Sequence, residues 1–394
     1  MDRGNDDALL PDADALAHSK DLISRIRGAI EENGGSIGFD RFMWMALYEP
    51  GLGYYSAGAR KFGRSGDFVT APEISPLYSR ALAAQCAEVL QTIGNGSLLE
   101  IGAGTGVMAS DMLRELELLG YLPERYLILE VSAELKARQR LHLANSIPDL
   151  LDRVIWIDGL PASGFRGVIL ANEVLDAQPV VRIGSTEGVI YEYRVTVDLN
   201  EFVWTKATAD REITAQAMHI KNQLDDVWPD GYTTEINPGL IALLSGYAEV
   251  LEQGVMLLID YGYARREYYH PQRDQGTLVC HYRHRVHANP FLYPGLQDIT
   301  ASVDFTAVAE AGTDAGLDLL GYTNQGMFLL ACGLEGLMNR VVEDERGSHA
   351  QTLAQAKTLT LPAGMGERFK VMALGRNYHE PLRGFVFSDQ RRHL

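Results

Sequence analysis

Cysteine is scarce in this chain. Among 394 residues there are three, Cys86, Cys280 and Cys332, too few and too scattered for a disulfide framework, which fits a reducing compartment. Positive charge is short as well. Thirty-five Lys and Arg stand against 52 Asp and Glu, a formal net charge of −17, and a field of that sign disfavours nonspecific attraction to nucleic acid or anionic membrane. No apolar run approaches the length of a membrane span. The opening MDRGNDDALLPDADALAHSK is acidic and lacks an apolar h-region, so it resembles neither a secretory signal nor a mitochondrial transit peptide. Internal repeats and low-complexity tracts are also missing. These absences lead to the expectation of a soluble, cytoplasmic globular protein. Its 46% hydrophobic content suffices for a full α/β core, with roughly a hundred residues left for insertions or a second domain.

The most informative stretch is Leu98 to Gly106, LLEIGAGTG. A short apolar run precedes glycines at alternate positions, Gly102, Gly104 and Gly106, and a helical pattern follows, so the stretch reads as strand, tight turn and helix start. Glycine supplies backbone angles that a Cβ forbids and lets a flat, adenosine-like ligand lie against the chain. A phosphate-cradling P-loop is excluded, because Val107 and Met108 stand where Lys and Ser or Thr are needed. A dinucleotide fingerprint starting at Gly102 fails at Val107, although a match shifted to Gly104, Gly106 and Ala109 keeps an NAD reading open. Glu100 tips the balance. A carboxylate beside the turn repels a pyrophosphate and suits a cation, and S-adenosyl-L-methionine is a cationic adenosyl ligand.

Alternating elements surround this turn. Leu16, Leu22, Ile23, Ile26 and Ile30 predict a helix from about Ala13 to Glu32. Ile37 to Tyr55 is crowded with aromatics and reads as a hydrophobic knot packed on the main domain through Phe39, Phe42 and Trp44. Gly63 to Ser75 has little apolar mass and many hydrogen-bonding groups. It is expected to line a ligand with Asp67, Thr70 and Glu73, or else to be a solvated loop. Pro76 to Ile93 is a helix, and strands follow at Tyr126 to Val131, Val154 to Ile157, Gly167 to Ala171 and Val255 to Ile259, with helices between. The pattern implies a parallel sheet buried on both faces. From Val180 to about Lys206, period-two alternation predicts an inserted antiparallel meander. The segment from Thr233 is read as a helix entered at Asn237-Pro238. A last strand is expected at Phe369 to Leu374.

The fold class is therefore α/β, with a Rossmann-like core of mostly parallel strands and inserted α+β elements facing the substrate. The expected divisions are an N-terminal cofactor-covering segment (1–73), core (74–179), inserted meander and helix (180–232), core (233–262), inserted basic lid (263–303), end of core with a helical insertion (304–376) and tail (377–394).

Acidic residues recur where strands end. Glu130 sits at the carboxyl end of the second strand, where its carboxylate can accept from both ribose hydroxyls. Asp158 is placed to reach an adenine amino group. Glu100, Glu130, Asp158, Asn172 and Asp260 all fall at the carboxyl ends of strands, where an open parallel sheet forms its ligand crevice. In NEVLD, Asn172 to Asp176, Glu173 and Asp176 are three apart and would share one side of a helical turn. Two carboxylates on one spot invite a cation, and a guanidinium pairs with them bidentately. Alternatively they are ordinary acids at a helix N-terminus. The insertion from Gly262 to Asn289 gathers Arg265, Arg266, Arg273, Arg283 and Arg285 with His270, His281, His284 and His287. Read as metal ligands, Cys280, His281, His284 and His287 lack a second cysteine pair at zinc spacing, so no metal is expected. A basic lid contacting an acidic protein partner or the cofactor carboxylate is favoured, and RNA contact stays open.

Together, GDFVTAPEIS at Gly66 to Ser75, LLEIGAGTG, NEVLDAQPV, IDYGY at Ile259 to Tyr263 and HYRHRVHANPFLYPGLQDITASVDFT at His281 to Thr306 resemble the MidA family. The resemblance spans about Phe39 to Arg376. It implies a seven-stranded class I S-adenosyl-L-methionine-dependent methyltransferase, related to mitochondrial complex I assembly factors that methylate an arginine of the 49 kDa subunit. By position it implies cofactor contacts at Gly102, Gly104 and Glu130, and functional weight on Asp67, Thr70, Glu73, Asn172, Glu173, Asp176, Asp260 and Asp304. Taken with the reading of the residues, the expected cofactor contacts are Asp67, Thr70, Glu100, Gly102, Gly104, Gly106, Glu130, Asp158 and Asn172, the expected catalytic residues Glu173 and Asp176, and the expected substrate contacts Glu73, Asp260, Tyr261 and Asp304. One departure is visible: Ser302 stands where a histidine is expected before Val-Asp-Phe, so no proton relay is carried over to it. The acidic start suggests a bacterial member. Its partner would be a protein substrate, such as a 49 kDa-type complex I subunit. Methyl transfer to RNA or a small molecule, and a non-catalytic cofactor-binding assembly factor, are the alternatives.

Overall fold

The computed structural model describes residues 10–56, 70–225, 227–345 and 348–394. The chain forms two compact units. One comprises Val69–Asp176, Leu240–Arg265 and Val303–Leu394, the other Met1–Phe68, Ala177–Gly239 and Arg266–Ser302.

The first of these holds the glycine turn. Its main strands are β1 (Ser97–Ile101), β2 (Tyr126–Leu129), β3 (Val154–Ile157), β4 (Phe165–Asn172), β5 (Leu251–Tyr263), β6 (Asp318–Asn324) and β7 (Phe369–Arg376). Their order in the sheet is β3-β2-β1-β4-β5-β7-β6. All neighbours are parallel except β7, which runs antiparallel to both β5 and β6. A two-residue strand, Val303–Asp304, adds to the end of β5. The expected Rossmann-like core is thus observed. Alternation along β1 explains why it is buried on both faces: Leu98 joins Tyr126, Val168 and the helices Pro76–Ile93 and Val107–Leu119, while Leu99 and Ile101 join the helices Leu240–Val250 and Phe305–Asp314.

Glycine closes the gap between the central strands at their entry. Gly167 has φ +144° and Gly254 φ +139°. A Cβ on Gly167 would lie 1.8 Å from the Ser97 carbonyl oxygen, and one on Gly254 would lie 1.9 Å from that of Gly167. Gly167→Ala should therefore lower stability by at least about 2 kcal/mol, through strain and overpacking together. Urea unfolding checks this, and an unchanged midpoint would refute it.

The second unit is built on antiparallel pairing. A five-stranded sheet joins Ile37–Gly38, Val189–Asp198, Val181–Thr186 and Tyr232–Ile236, with Glu201–Thr208 on the remaining edge of Val189–Asp198. A three-stranded sheet pairs Val279–Tyr282 with Arg285–His287 and Asp298–Thr300. The meander is as expected. Two other expectations change. Residues 233–236, expected to open a core helix, form a strand against Val181–Thr186, and the helix begins at Leu240; the β-branched Thr233, Thr234 and Ile236 favour pairing, and Pro238 delays the helix. The aromatic knot is not an appendage of the main domain. Phe39 and Phe42, on the helix Phe39–Tyr48, pack with Val195, Ile299 and Leu22 as this unit's own core.

Candidate active site

Strand register brings the candidate residues level. Ile101 is paired with Leu129 and Ala171, Leu129 with Ile157, and Asn172 with Ile259. The residues immediately beyond, Gly102, Glu130 and Asp158, therefore leave the sheet along one row with Asn172, and Asp260 is one step further on. Strand order reverses between β1 and β4, the place where open α/β sheets bind ligands.

The turn itself is left-handed at Gly102, Gly104 and Gly106, with φ +67°, +52° and +84°. An added Cβ at Gly104 would meet nothing within 4 Å, so backbone conformation and open space, not crowding, call for glycine there. Space of this kind fits a flat adenosyl group against the backbone.

Glu130 is 5% exposed. Its Oε1 accepts from the Ser132 backbone N–H (2.9 Å), and its Oε2 accepts from Gln139 Nε2 (3.0 Å). Gln139 was not anticipated. Fully buried, it also donates from Nε2 to the Gly104 carbonyl (3.0 Å) and accepts from Trp156 Nε1 (2.9 Å), tying the turn, the end of β2 and β3 together. A signal was available: Leu135, Gln139 and Leu143 are the buried residues of the helix Ala133–Ser146, and a lone amide in an i, i+4 apolar stripe needs partners in the interior. Burial raises the Glu130 carboxyl above its ordinary range.

Glu100 occupies a different setting from the one expected. It is 1% exposed, shares the Leu98 face of β1 by strand alternation, and accepts a hydrogen bond from Tyr126 Oη at 2.8 Å. Burial pushes its carboxyl up to about 7. At neutral pH it is only about half ionised, so its charge does less for a bound cation than a solvent-facing carboxylate would. The folded state holds this proton more tightly than the unfolded chain does. Stability therefore falls as pH rises from about 4.5 to about 7, by roughly 3 kcal/mol. Glu100→Gln should remove that fall; melting curves at pH 5 and pH 8 with equal pH dependence in both proteins would refute it. Asp158 is highly exposed and ion-paired with Lys136, which lowers its pKa.

The NEVLD segment is not helical. Glu173 adopts φ +54°, a left-handed conformation costing on the order of 1 kcal/mol in a non-glycine residue, and this breaks the expected turn. Its backbone N–H donates to the Ile259 carbonyl (2.9 Å). Asp260 replaces the missing helical acceptors: Oδ2 takes the N–H groups of Leu175 (2.9 Å) and Asp176 (3.1 Å), and Oδ1 takes that of Tyr261 (2.9 Å). Glu173 and Asp176 are nevertheless brought together with Asp260. Burial and the charges of Asp176 and Glu173 push the Asp260 carboxyl well above its ordinary range. Asn172 donates to Glu173 Oε1 (3.2 Å) and accepts from Tyr78 Oη, and Tyr78 is another participant the sequence did not disclose.

Several expected contacts find other partners. Asp260 is fully buried, and its oxygens shape the loop. Asp304 caps the helix Phe305–Asp314 by accepting from Thr306 and Ala307 N–H (3.0 and 3.1 Å), and it pairs with Arg265 (3.3 Å). Arg265 also forms a bidentate pair with Glu310 at 2.7 Å, so this cation of the basic insertion is spent inside the fold. Tyr261 packs edge-on against Phe369. Glu73 accepts from Thr105 in the glycine turn (3.1 Å), and Thr70 precedes the same short helix, Ala71–Ile74. Asp67 lies outside the described residues. Among the described residues, no helix is long and apolar enough to cross a membrane.

Known proteins carry the same architecture. The crystal structure of a protein from Burkholderia thailandensis bound to S-adenosyl-homocysteine is 42% identical, covers 98% of this chain and 99% of its own, and superposes with a TM-score of 0.92. The Drosophila melanogaster "Protein arginine methyltransferase NDUFAF7 homolog, mitochondrial" is 26% identical over 92% of this chain and 87% of its own length. The human protein of that name is 27% identical over 94% of this chain and 85% of its own. A family model described as "Putative S-adenosyl-L-methionine-dependent methyltransferase" matches residues 81–323. With the glycine turn, the acid after β2 and the seven-stranded order in place, the chain belongs to this family of S-adenosyl-L-methionine-dependent methyltransferases, as its resemblance to the MidA family implies.

Proposed function

We propose that the protein transfers a methyl group to an arginine guanidinium of a partner protein. The observation that carries this reading is the meeting of Glu173 and Asp176 with Asp260 at the carboxyl ends of β4 and β5, where the charges of Asp176 and Glu173, after burial, raise the cost of ionising Asp260. A cation relieves that repulsion. A guanidinium stays charged at any physiological pH and offers a planar fork that two carboxylates can grip. The names of the similar animal proteins support the same acceptor.

S-adenosyl-L-methionine, when bound, supplies an electrophilic methyl on a sulfonium. The protein's part is positioning. Glu130 and the glycine backbone, braced by Gln139, would hold the adenosyl portion, and Asp260 fixes the loop that presents Glu173 and Asp176. Those two acids would hold the guanidinium still, draw its charge onto the nitrogens they face, leaving the remaining nitrogen less charged for transfer, and take up the proton that nitrogen sheds as it gains the methyl group. Within this reading the acceptor is an arginine of a 49 kDa-type complex I subunit or a similar protein. Mass spectrometry of the proteome with and without the gene tests it. A methyl-arginine that disappears with the gene supports the reading, whereas a labelled methyl group entering only RNA or small molecules refutes it.

A further inference from the structure

Glu73 sits in the short helix Ala71–Ile74, just ahead of the helix Pro76–Ile93. One carboxylate oxygen, Oε1, accepts from Thr105 Oγ1 at 3.1 Å, and Thr105 lies between Gly104 and Gly106. The other oxygen, Oε2, is buried and has no hydrogen-bond partner among the described residues. Desolvation raises this carboxyl above its ordinary range despite the Thr105 bond. Buried polar atoms are nearly always satisfied, so an orphaned carboxylate oxygen beside a ligand cradle calls for a donor from the ligand.

Position indicates which donor. With the ribose on Glu130, the adenosine end of the cofactor lies on the β2 side of β1. Glu73 belongs to the other side: the helix that follows it starts against Asn172 at the end of β4, through the hydrogen bond from Tyr78. A ligand running from Glu130 toward NEVLD carries its amino-acid tail past the glycine turn, where an added Cβ on Gly104 would find open space. That tail bears one ammonium and one carboxylate. Glu73 attracts the first and repels the second.

We infer that Glu73 receives the α-ammonium of the cofactor's amino-acid tail on Oε2, while Thr105 holds the carboxylate in place. The assignment rests on the cofactor lying across the glycine turn. It moves Glu73 from the acceptor, where the sequence reading put it, to the cofactor.

Calorimetry on the full chain tests this with two probes, S-adenosyl-homocysteine and its desamino analogue, which differ only in the α-amino group. Glu73→Gln keeps an oxygen for Thr105, so the fold is retained and melting curves confirm it. The substitution should weaken S-adenosyl-homocysteine about 10- to 100-fold and the desamino analogue less than about 3-fold, since only a charge-assisted bond is lost. Glu73→Asp, which withdraws the carboxylate by one methylene, should fall between wild type and Glu73→Gln. Equal weakening of both ligands would assign Glu73 a structural role and overturn the inference. So would unchanged cofactor affinity, with or without a raised KM for the acceptor. Glu130→Ala separates the two levels of the argument. If it weakens S-adenosyl-homocysteine and Glu73→Gln does not, Glu73 alone is wrong; if neither does, the cofactor placement itself falls.

Discussion

Glu173→Gln is expected to reduce methyl transfer by about 1,000-fold while leaving S-adenosyl-homocysteine affinity within about threefold of wild type. The side chain keeps its size and its oxygen acceptor, and it loses the charge that grips and polarises a guanidinium. Two features mark Glu173 for this role. Its backbone is held at φ +54°, a strain that persists only because the Ile259 carbonyl on one side and Asp260 on the other fix the loop. Strain of that kind concentrates at sites where a side chain must be aimed. Asn172 also donates to its carboxylate, fixing the rotamer before any ligand arrives. The measurement is transfer of a labelled methyl group to protein from cells lacking the gene, paired with calorimetry. An unchanged rate removes Glu173 from catalysis, and lost cofactor affinity reassigns it to the cofactor.

The second large effect is expected at Glu130. Glu130→Ala should weaken S-adenosyl-homocysteine by about 100- to 1,000-fold, because two charge-assisted hydrogen bonds to ribose hydroxyls disappear and Gln139 is left with an unmatched donor. Ser132 donates to one carboxylate oxygen and Gln139 to the other, with Val131 N–H also stabilising the charge, and a carboxylate's four lone-pair sites leave acceptor capacity for the ribose. Glu130→Gln should be milder, since one acceptor survives. Ligand-induced stabilisation provides an independent readout. A ligand at 100 times its dissociation constant stabilises the folded state by about 2.7 kcal/mol, and Glu130→Ala should abolish most of that shift at the same concentration. A full thermal shift in the variant would exclude Glu130 from the cofactor site.

Local sequence disclosed what local physics controls. LLEIGAGTG had to be a strand and a left-handed turn, because alternate glycines after an apolar run suit few other conformations, and the turn is left-handed at all three. Strands separated by helices implied parallel pairing, and the order that follows places Glu130 and Asn172 level with Gly102. The charge argument from Glu100 reached the right ligand class from a residue whose burial weakens the argument, since the sequence showed its proximity to the turn but not which face of β1 it occupies. Helical spacing misled at NEVLD. Residues three apart share a face only if the backbone is helical, and an Asp more than eighty residues downstream supplied the hydrogen bonds that made it a loop.

By itself, the sequence determined the α/β class, the place of the glycine turn and the acid that follows β2, because these depend on side-chain period and on backbone angles open to glycine. The tertiary structure alone decided which polar side chains brace the fold. Asp304 became a helix cap, Asp260 a loop brace and Gln139 the link between the turn and Glu130. Those roles follow from which buried donors and acceptors long-range packing brings within hydrogen-bond distance, and no spacing along the chain encodes that distance.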